Sequence, residues 1–260
     1  VRSGAARRGG GCGACRVVAR AAHTVFIGGA FPRSESGRTY EVTDSKEQFL
    51  ANMALASRKD ARDAVLAARC AVAKWSAATA YNRGQVLYRI AEVMEGRREQ
   101  FISEVSDSEG VSSRKAGAHV DAAIDRWVWY AGWADKYAQV IGNTNPVAGP
   151  FFNFSVPEPT GVVAAVAPQD ASILGLVSVI APIIVTGNAV IAMPSSSRPI
   201  PAITLAECLA TSDVPAGVVN ILTGAPAEVM PWLAEHADVN ALDLTGIVDE
   251  GVATDLERSA

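Results

Sequence analysis

Four short apolar segments, each separated from the next by a helix-length segment, constrain the fold of this chain more than any other feature. The apolar segments are residues 161–167, 188–192, 217–222 and 239–244, and residues 172–186, 200–211 and 226–236 lie between them. Strands that alternate with helices at this spacing form right-handed βαβ units, with parallel strands and helices on both faces of the sheet. The pattern therefore predicts an α/β fold with a Rossmann-like parallel sheet.

The position of a functional site follows from this fold class. Open parallel sheets bind their ligands at the carboxyl ends of the strands. The candidate segments are therefore those that directly follow the four predicted strands, at residues 168–170, 193–195, 223–225 and 245–247.

The composition argues against several classes of protein. With 260 residues, of which 49% are hydrophobic and 19% charged, the chain can bury a substantial core. Its formal net charge of −4 argues against a nucleic-acid partner. The longest apolar stretch, residues 173–185, is shorter than the roughly 18 residues of a membrane span and is interrupted by Pro182, so we expect a buried helix. Because no secretory signal is visible, we predict a cytoplasmic protein with no membrane partner.

Residues 60–142 have the periodicity of helices. Apolar residues recur on one face from Ala61 to Trp75, and Asp60 is the expected N-cap of this first helix. A later stripe around Trp127 is interpreted as a helix-packing surface, and His119 as a surface or capping residue. These segments predict a helical layer that precedes the sheet.

The cysteines do not suggest a disulfide framework or a nucleophile. Cys70 and Cys208 lie within helix-like segments without an adjacent histidine, so we expect both to face the core. Cys12 and Cys15 have the spacing of metal ligands, with His23 nearby, but a single pair of this kind is a weak signal for zinc or redox chemistry. We therefore predict no metal site.

Several ordered motifs give the chain a family resemblance. They are Pro159-Thr-Gly-Val-Val163, Ala167-Pro168, Ala181-Pro182, Thr186-Gly187-Asn188, Pro215-Ala-Gly-Val-Val-Asn220, Thr223-Gly224 and Leu244-Thr245-Gly246. In this order they resemble the aldehyde dehydrogenase superfamily, specifically its N-terminal, NAD(P)-binding half. The resemblance extends upstream to the family's opening strand at residues 26–29 and to its first two helices, so that it covers about nine-tenths of the chain.

This resemblance implies a fold, an activity and a set of cofactor contacts. The fold is the family's sheet and helical layer, with a protruding β-arm at about residues 143–158. The activity is NAD(P)-dependent oxidation of an aldehyde to a carboxylate, with NAD or NADP as cofactor. The implied cofactor-binding positions are Ala167, Pro168, Met193, Ser195, Gly224 and Gly246.

The departures from the family pattern fall at these same strand ends. Asp170 stands where the family has an Asn that donates a hydrogen bond to the oxyanion, and an ionised carboxylate has no proton to donate. Met193 replaces the family's ribose-binding Lys, and Ile247 replaces a Ser. Pro226 and Met230 replace glycines that allow a dinucleotide to approach the backbone. We therefore expect the cofactor positions to be vestigial, binding of either dinucleotide to be doubtful, and no residue of this chain to be catalytic.

The resemblance also divides the chain. Residues 24–246 correspond to the family's cofactor-binding domain, and residues 247–260 do not resemble the segment that follows it. No run supplies the family's general base or nucleophilic Cys, so we expect the catalytic Cys domain to be absent. Residues 1–23 are Gly-rich and carry only positive charge; we expect a disordered tail and an over-extended or non-native start.

Residues 143–158 are the predicted site of assembly. Residues 151–156 have the composition of a strand, and in the family the matching strands form an arm that pairs with neighbouring subunits. A strand lying on its own domain is the alternative. We expect a homo-oligomer, or a complex with a full-length aldehyde dehydrogenase homologue, formed through this arm.

Three functional hypotheses remain at this point. The first is a non-catalytic half that acts as a structural or regulatory subunit. The second is a dinucleotide-binding half-site module that completes a partner oxidoreductase, using backbone donors at a helix start to hold an anion. The third is a truncated product without function.

Overall fold

The computed structural model describes residues 24–260, in which helices and strands alternate as predicted. The helices are α1 (Arg58–Ser76), α2 (Ala80–Gly96), α3 (Arg98–Glu109), α4 (Ser113–Trp133), α5 (Tyr137–Ile141), α6 (Leu174–Val185), α7 (Ile200–Ala210), α8 (Pro226–Ala234) and α9 (Glu250–Ser259). The strands are β1 (Thr39–Thr43), β2 (Phe49–Ala54), β3 (Asn143–Thr144), β4 (Phe154–Ser155), β5 (Val162–Val166), β6 (Ala189–Met193), β7 (Val219–Ile221) and β8 (Ala241–Asp243).

The four predicted strands form one parallel sheet in the order β7-β6-β5-β8, which confirms the Rossmann-like α/β fold. Along the sheet, Val163 of β5 is the partner of Val190 on one side and of Ala241 on the other. The chain builds outward from β5 through β6 to β7 and then crosses back to β8. This reversal places the topological switch point between β5 and β8, where a doubly wound sheet opens its ligand crevice.

Helices cover both faces of the sheet, and every residue of β5, β6 and β7 is buried. Alternate strand residues, such as Ala165 and Val190, pack into a core shared with α2, α4, α6 and α7. The residues between them, such as Ala164 and Ile191, pack with α1, α8 and α9 on the opposite face. Burial on both faces explains why these strands are continuously apolar rather than alternating.

The predicted helical layer is present as α1 to α5, and one of its details differs from expectation. The N-cap of α1 is Ser57, not Asp60; Asp60 is the third residue of the helix and accepts a hydrogen bond from the Ser57 N–H at 2.7 Å. The pair forms a capping box, which the sequence also contains. Trp75 and Trp127 are fully buried, as helix-packing residues should be.

The arm is a short hairpin. Only Phe154–Ser155 of the predicted strand 151–156 is extended in a ladder, and it pairs antiparallel with Asn143–Thr144. The strand prediction was therefore too long, because the partner strand β3 contains only two residues to pair with it. Both of these phenylalanines are exposed.

The two ends of the chain differ in what the structure describes. Residues 1–23, predicted as a disordered tail, lie outside the described residues. Residues 247–260 contain α9, which Asp249 caps and whose Leu256 is buried against the α8 side of the core. Within residues 24–260, no helix is both long enough and apolar enough to cross a membrane.

Candidate functional site at the strand ends

The carboxyl ends of β5 and β6 are tied together by the side chains that follow them. The Gln169 side-chain amide donates to the Ala167 carbonyl at 2.7 Å, and its oxygen accepts from the Ser196 N–H at 3.0 Å. The Ser195 hydroxyl donates to the Gln169 carbonyl at 2.8 Å and is fully buried. At these two strand ends, polar groups of the chain are therefore bonded to one another.

Asp170, the residue at the family's oxyanion-donor position, lies at the surface of the same tip. Asp170 is exposed, and its backbone carbonyl accepts a hydrogen bond from the Arg198 guanidinium. The carboxylate at this position can accept hydrogen bonds but cannot donate one when ionised. Asp170 therefore cannot perform the donor role that the resemblance assigns to this position.

A carboxylate from α3 is bonded to the loop that leads from the β5 tip into α6. Glu109 Oε1 accepts hydrogen bonds from the Ser172 N–H at 2.9 Å and from the Ser172 hydroxyl at 2.6 Å. Its second oxygen, Oε2, lies 3.0 Å from His119 Nδ1. Helix N-termini attract anions because their N–H groups are unpaired and the helix dipole is positive there. In this chain the carboxylate of Glu109 is bonded to Ser172, which lies two positions before Leu174, the first residue of α6.

The charge state of Glu109 follows from these contacts. Burial raises the pKa of its carboxyl group, but the hydrogen bonds from Ser172 and from His119 together outweigh burial and hold the pKa below its usual value. Glu109 is therefore an anion throughout the physiological pH range. Sequence reasoning missed this group, and His119, expected as a surface or capping residue, is its hydrogen-bond partner.

The loop after β8 closes the switch point against the β5 tip. The Gly246 N–H donates to the Val166 carbonyl at 2.9 Å. A Cβ atom at Gly246 would lie only 2.0 Å from the Ala167 carbonyl oxygen, so only glycine fits there. The structure therefore brings Gly246 together with Val166 and Ala167, and the cofactor role of these positions stays a prediction.

The remaining predicted positions follow β6 and β7. Met193 is buried, and Gly224 adopts a φ of 127°. A Cβ atom at Gly224 would lie 2.9 Å from Leu55, so this glycine accommodates the chain's own β2–α1 connection. Because Met193 and Gly224 both serve internal packing, neither presents a free polar group.

The start of α8 carries an acidic side chain. Pro226 opens the helix, and Glu228 lies in its first turn, where it pairs with Arg38 at 2.9 Å. Met230, one turn further, is fully buried. A second helix N-terminus beside the sheet is therefore supplied with negative charge by the chain itself.

The described residues contain no reactive thiol at these tips. Cys208 is buried in α7, and burial raises the pKa of its thiol to about 11 even though Arg97 lies nearby. Cys70 is exposed, so the expectation that it faces the core is wrong; it lies on the outer face of α1. Within residues 24–260 no group of three His, Cys, Asp or Glu side chains could hold a metal, and Cys12, Cys15 and His23 lie outside that range.

Comparison with known proteins agrees with the fold and the motifs. The family model described as "Aldehyde dehydrogenase family" matches residues 31–254. Cytosolic 10-formyltetrahydrofolate dehydrogenase of Pongo abelii is 32% identical over 240 residues, which are 89% of this chain and 26% of that protein. The chain thus spans about a quarter of the length of this relative.

Two solved structures extend the likeness to three dimensions. HpcC from Thermus thermophilus is 30% identical, with a TM-score of 0.88 over 95% of this chain and 47% of that one. An NAD+ complex of aldehyde dehydrogenase from Bacillus cereus is 26% identical, with a TM-score of 0.80 over 85% of this chain and 45% of that one. The chain belongs to the aldehyde dehydrogenase family.

Proposed function

We propose that residues 24–260 are a non-catalytic aldehyde dehydrogenase-type unit with a structural or regulatory role, which associates with other subunits through its arm. The single observation that carries this proposal is the carboxylate of Glu109 bonded to Ser172, in the loop that leads into α6. In doubly wound folds the pyrophosphate of a dinucleotide lies at the helix start that follows the first strand. A bound pyrophosphate would have to displace Glu109 or lie beside it.

The surrounding charges support the same conclusion. Asp170 is an exposed acid at the β5 tip, and Glu228 lies in the first turn of α8. Met193 and Ser195 end β6 without a charge, and Arg198, the cation that follows them, donates to the Asp170 carbonyl. The residues at these four strand ends therefore do not fit NAD or NADP, and we assign no chemical step to either cofactor in this chain.

The positions of the two cysteines among the described residues support a non-catalytic role. Family chemistry needs a thiolate held beside an activating base. Cys208 keeps its proton up to about pH 11 and is enclosed in the core, and Cys70 lies exposed on α1. We therefore expect no aldehyde-dependent NADH formation by the purified 260-residue chain.

The proposed association surface is the arm hairpin. Phe152 and Phe154 are 81% and 57% exposed, and their rings pack against each other at 5.3 Å between centroids. Phe151 and Val156 beside them are also more than half exposed. Burying apolar surface contributes about 25 cal/mol per Å², so a contact of a few hundred Å² would favour association by several kcal/mol before entropic losses. A second copy of the chain or a full-length homologue would both supply such a contact.

Cofactor titration separates this proposal from the half-site hypothesis, which the likeness to an NAD+ complex favours. Isothermal titration of the 260-residue chain with NAD+ and NADP+ should give no binding up to millimolar concentration. A full-length aldehyde dehydrogenase titrated in parallel is the positive control. Micromolar binding by the chain would refute the structural role and establish the half-site module.

Sedimentation velocity tests the association. The double variant Phe152→Ser and Phe154→Ser should shift the chain, or its mixture with a homologue, towards the monomer. Phe49→Ser is the matched control, because Phe49 is 58% exposed but lies on β2 outside the arm. An unmodified chain that stays monomeric at high concentration and binds no homologue would show that the arm is not an interface.

A further inference from the structure

We propose that a groove between the first turn of α1 and the last turn of α8 binds a small organic phosphate ester. Arg58, Lys59 and Arg62 line it from α1, and Trp232 and His236 line it from the end of α8. The groove shares no residue with the strand ends described above. Its ligand would therefore bind independently of the family's cofactor position.

The floor of the groove is apolar. Ala61 and Leu233 lie beneath it and are almost fully buried, and the Trp232 indole forms one wall. The volume is about 510 Å³. Sites for small molecules fall in the range of about 300–1,000 Å³ and combine apolar walls with a few converging polar groups. The groove therefore has room for one phosphate group together with an aromatic or aliphatic body.

Arg58 is held in a geometry that suits an anion. Its guanidinium carbon lies 3.7 Å from the centroid of the Trp232 ring. Stacking of this kind occupies the flat face of the guanidinium and leaves the N–H groups at its edge free to donate. Among residues 24–260, no carboxylate lies within ion-pair distance of Arg58. Arg58 is thus a cation that is oriented but not neutralised.

Two further cations stand on the rim. Lys59 contacts Glu35, and Arg62 lies 2.8 Å from Asp63, but all four side chains are at least half exposed. Exposed pairs of this kind contribute little to stability, so both cations can reorient towards a ligand at small cost. Glu235 is the only carboxylate among the residues that line the groove.

His236 adds a neutral donor. Its Nδ1 accepts a hydrogen bond from the Asp238 N–H at 3.1 Å. A ring nitrogen that accepts carries no proton, so in the neutral ring the proton is on Nε2, which can donate. Arg58 has no acidic partner among the described residues, and Lys59 and Arg62 are paired only with exposed carboxylates outside the groove lining. Together with the Nε2 donor they favour an anionic phosphate over a cationic ligand, and the apolar floor favours an ester over the free ion.

Isothermal titration with three probes tests the site. Phenyl phosphate carries both the charge and the flat body, inorganic phosphate carries the charge alone, and phenol carries the body alone. We expect phenyl phosphate to bind at least about ten-fold more tightly than either of the other two probes. Raising the salt concentration should weaken its binding, because the cations on the rim are exposed.

Variants locate the binding. Arg58→Gln should weaken binding of phenyl phosphate by about ten-fold or more, because it removes the charged donor. Arg89→Gln is the matched control, since Arg89 is an exposed arginine on α2 whose partner is Glu92. Both positions are exposed, and thermal melting would verify that each variant is folded.

Three results would overturn the proposal. One is the absence of measurable phenyl phosphate binding. Another is inorganic phosphate binding as tightly as phenyl phosphate, which would leave the apolar floor without a role. The third is an equal loss of binding in Arg58→Gln and Arg89→Gln, which would point to general charge attraction. The preference for phenyl phosphate together with a loss specific to Arg58→Gln would support it.

Discussion

Replacing Glu109 by alanine should destabilise the chain by an amount that its contacts in the loop before α6 allow us to estimate. The Ser172 N–H and hydroxyl both donate to this carboxylate, and Ser172 is fully buried. In the Glu109→Ala variant both donors lose their acceptor.

The expected loss of stability follows from the strength of hydrogen bonds to a charged acceptor. A hydrogen bond to a charged group contributes about 1.5–3 kcal/mol, and a buried donor left without a partner costs about 1–3 kcal/mol. For two donors on one residue, with partial relaxation of the loop, we expect Glu109→Ala to lower the free energy of unfolding by about 3 kcal/mol. Glu109→Gln keeps an acceptor but loses the charge, so its loss should be about 1 kcal/mol.

Urea denaturation followed by far-UV circular dichroism measures these changes. Glu99→Ala is the matched control, because Glu99 lies on the same helix α3, its side chain is 87% exposed and it contacts only Arg98. Its loss should be within about 0.5 kcal/mol. If Glu109→Ala lost no more than Glu99→Ala, the carboxylate in the loop before α6 would contribute nothing and our interpretation of this loop would be wrong.

The pH dependence gives an independent check of the same group. Because the pKa of Glu109 is lower in the folded chain than the ordinary value of 4.5, its stabilising contribution is fully present above pH 4.5. The contribution is lost as the pH falls below that value through the folded pKa. Glu109→Gln lacks this titration, so its stability should fall less than that of the wild type on acidification from pH 4.5.

Two further variants test the buried acid of α3 and the closed switch point. Burial raises the pKa of Glu104 to about 7, so the wild-type free energy of unfolding should fall by up to about 3 kcal/mol as the pH rises from 4.5 to 7. The Glu104→Gln variant should not show this loss. If urea denaturation gave the same change of unfolding free energy with pH for both proteins, the prediction would be wrong. Gly246→Ala, whose Cβ would lie 2.0 Å from the Ala167 oxygen, should lose about 2 kcal/mol or more in thermal melting. Gly96→Ala has open space and is its control; similar melting of both variants would mean that the loop moves freely.

The parallel sheet could be predicted from sequence because its pattern is local and repeated. Predicted strand 161–167 is observed as Val162–Val166, and the buried helix predicted within residues 173–185 is observed as Leu174–Val185. The differences lie at the ends, where hydrogen-bond partners rather than composition decide whether a residue joins the ladder. The arm strand failed for this reason, since Asn143–Thr144 pairs with only two of its residues.

Contacts between distant residues could not be predicted in the same way. Glu109 and Ser172 are 63 positions apart, and the sequence around either residue does not indicate that it contacts the other. The same holds for Arg58 and Trp232, whose stacking requires α1 and α8 to lie side by side. Cys70 and Cys208 both occupy helices, and only the packing of those helices decides that one is exposed and the other enclosed.

The linear sequence thus predicted the order of strands and helices and the family, while the assignment of Asp170 to a position where the family has Asn stays a prediction from the resemblance. These properties depend on residue type and on spacing within about one helical turn or one strand, which a linear pattern records. The tertiary structure alone decided which group lies at each strand end. Glu109 reaches the loop before α6, and Gly246 contacts the β5 tip, because helix packing and the crossover to β8 bring separate segments within hydrogen-bond distance. Hydrogen bonds form only at donor–acceptor distances of about 3 Å, so their partners are set by the fold rather than by position in the chain.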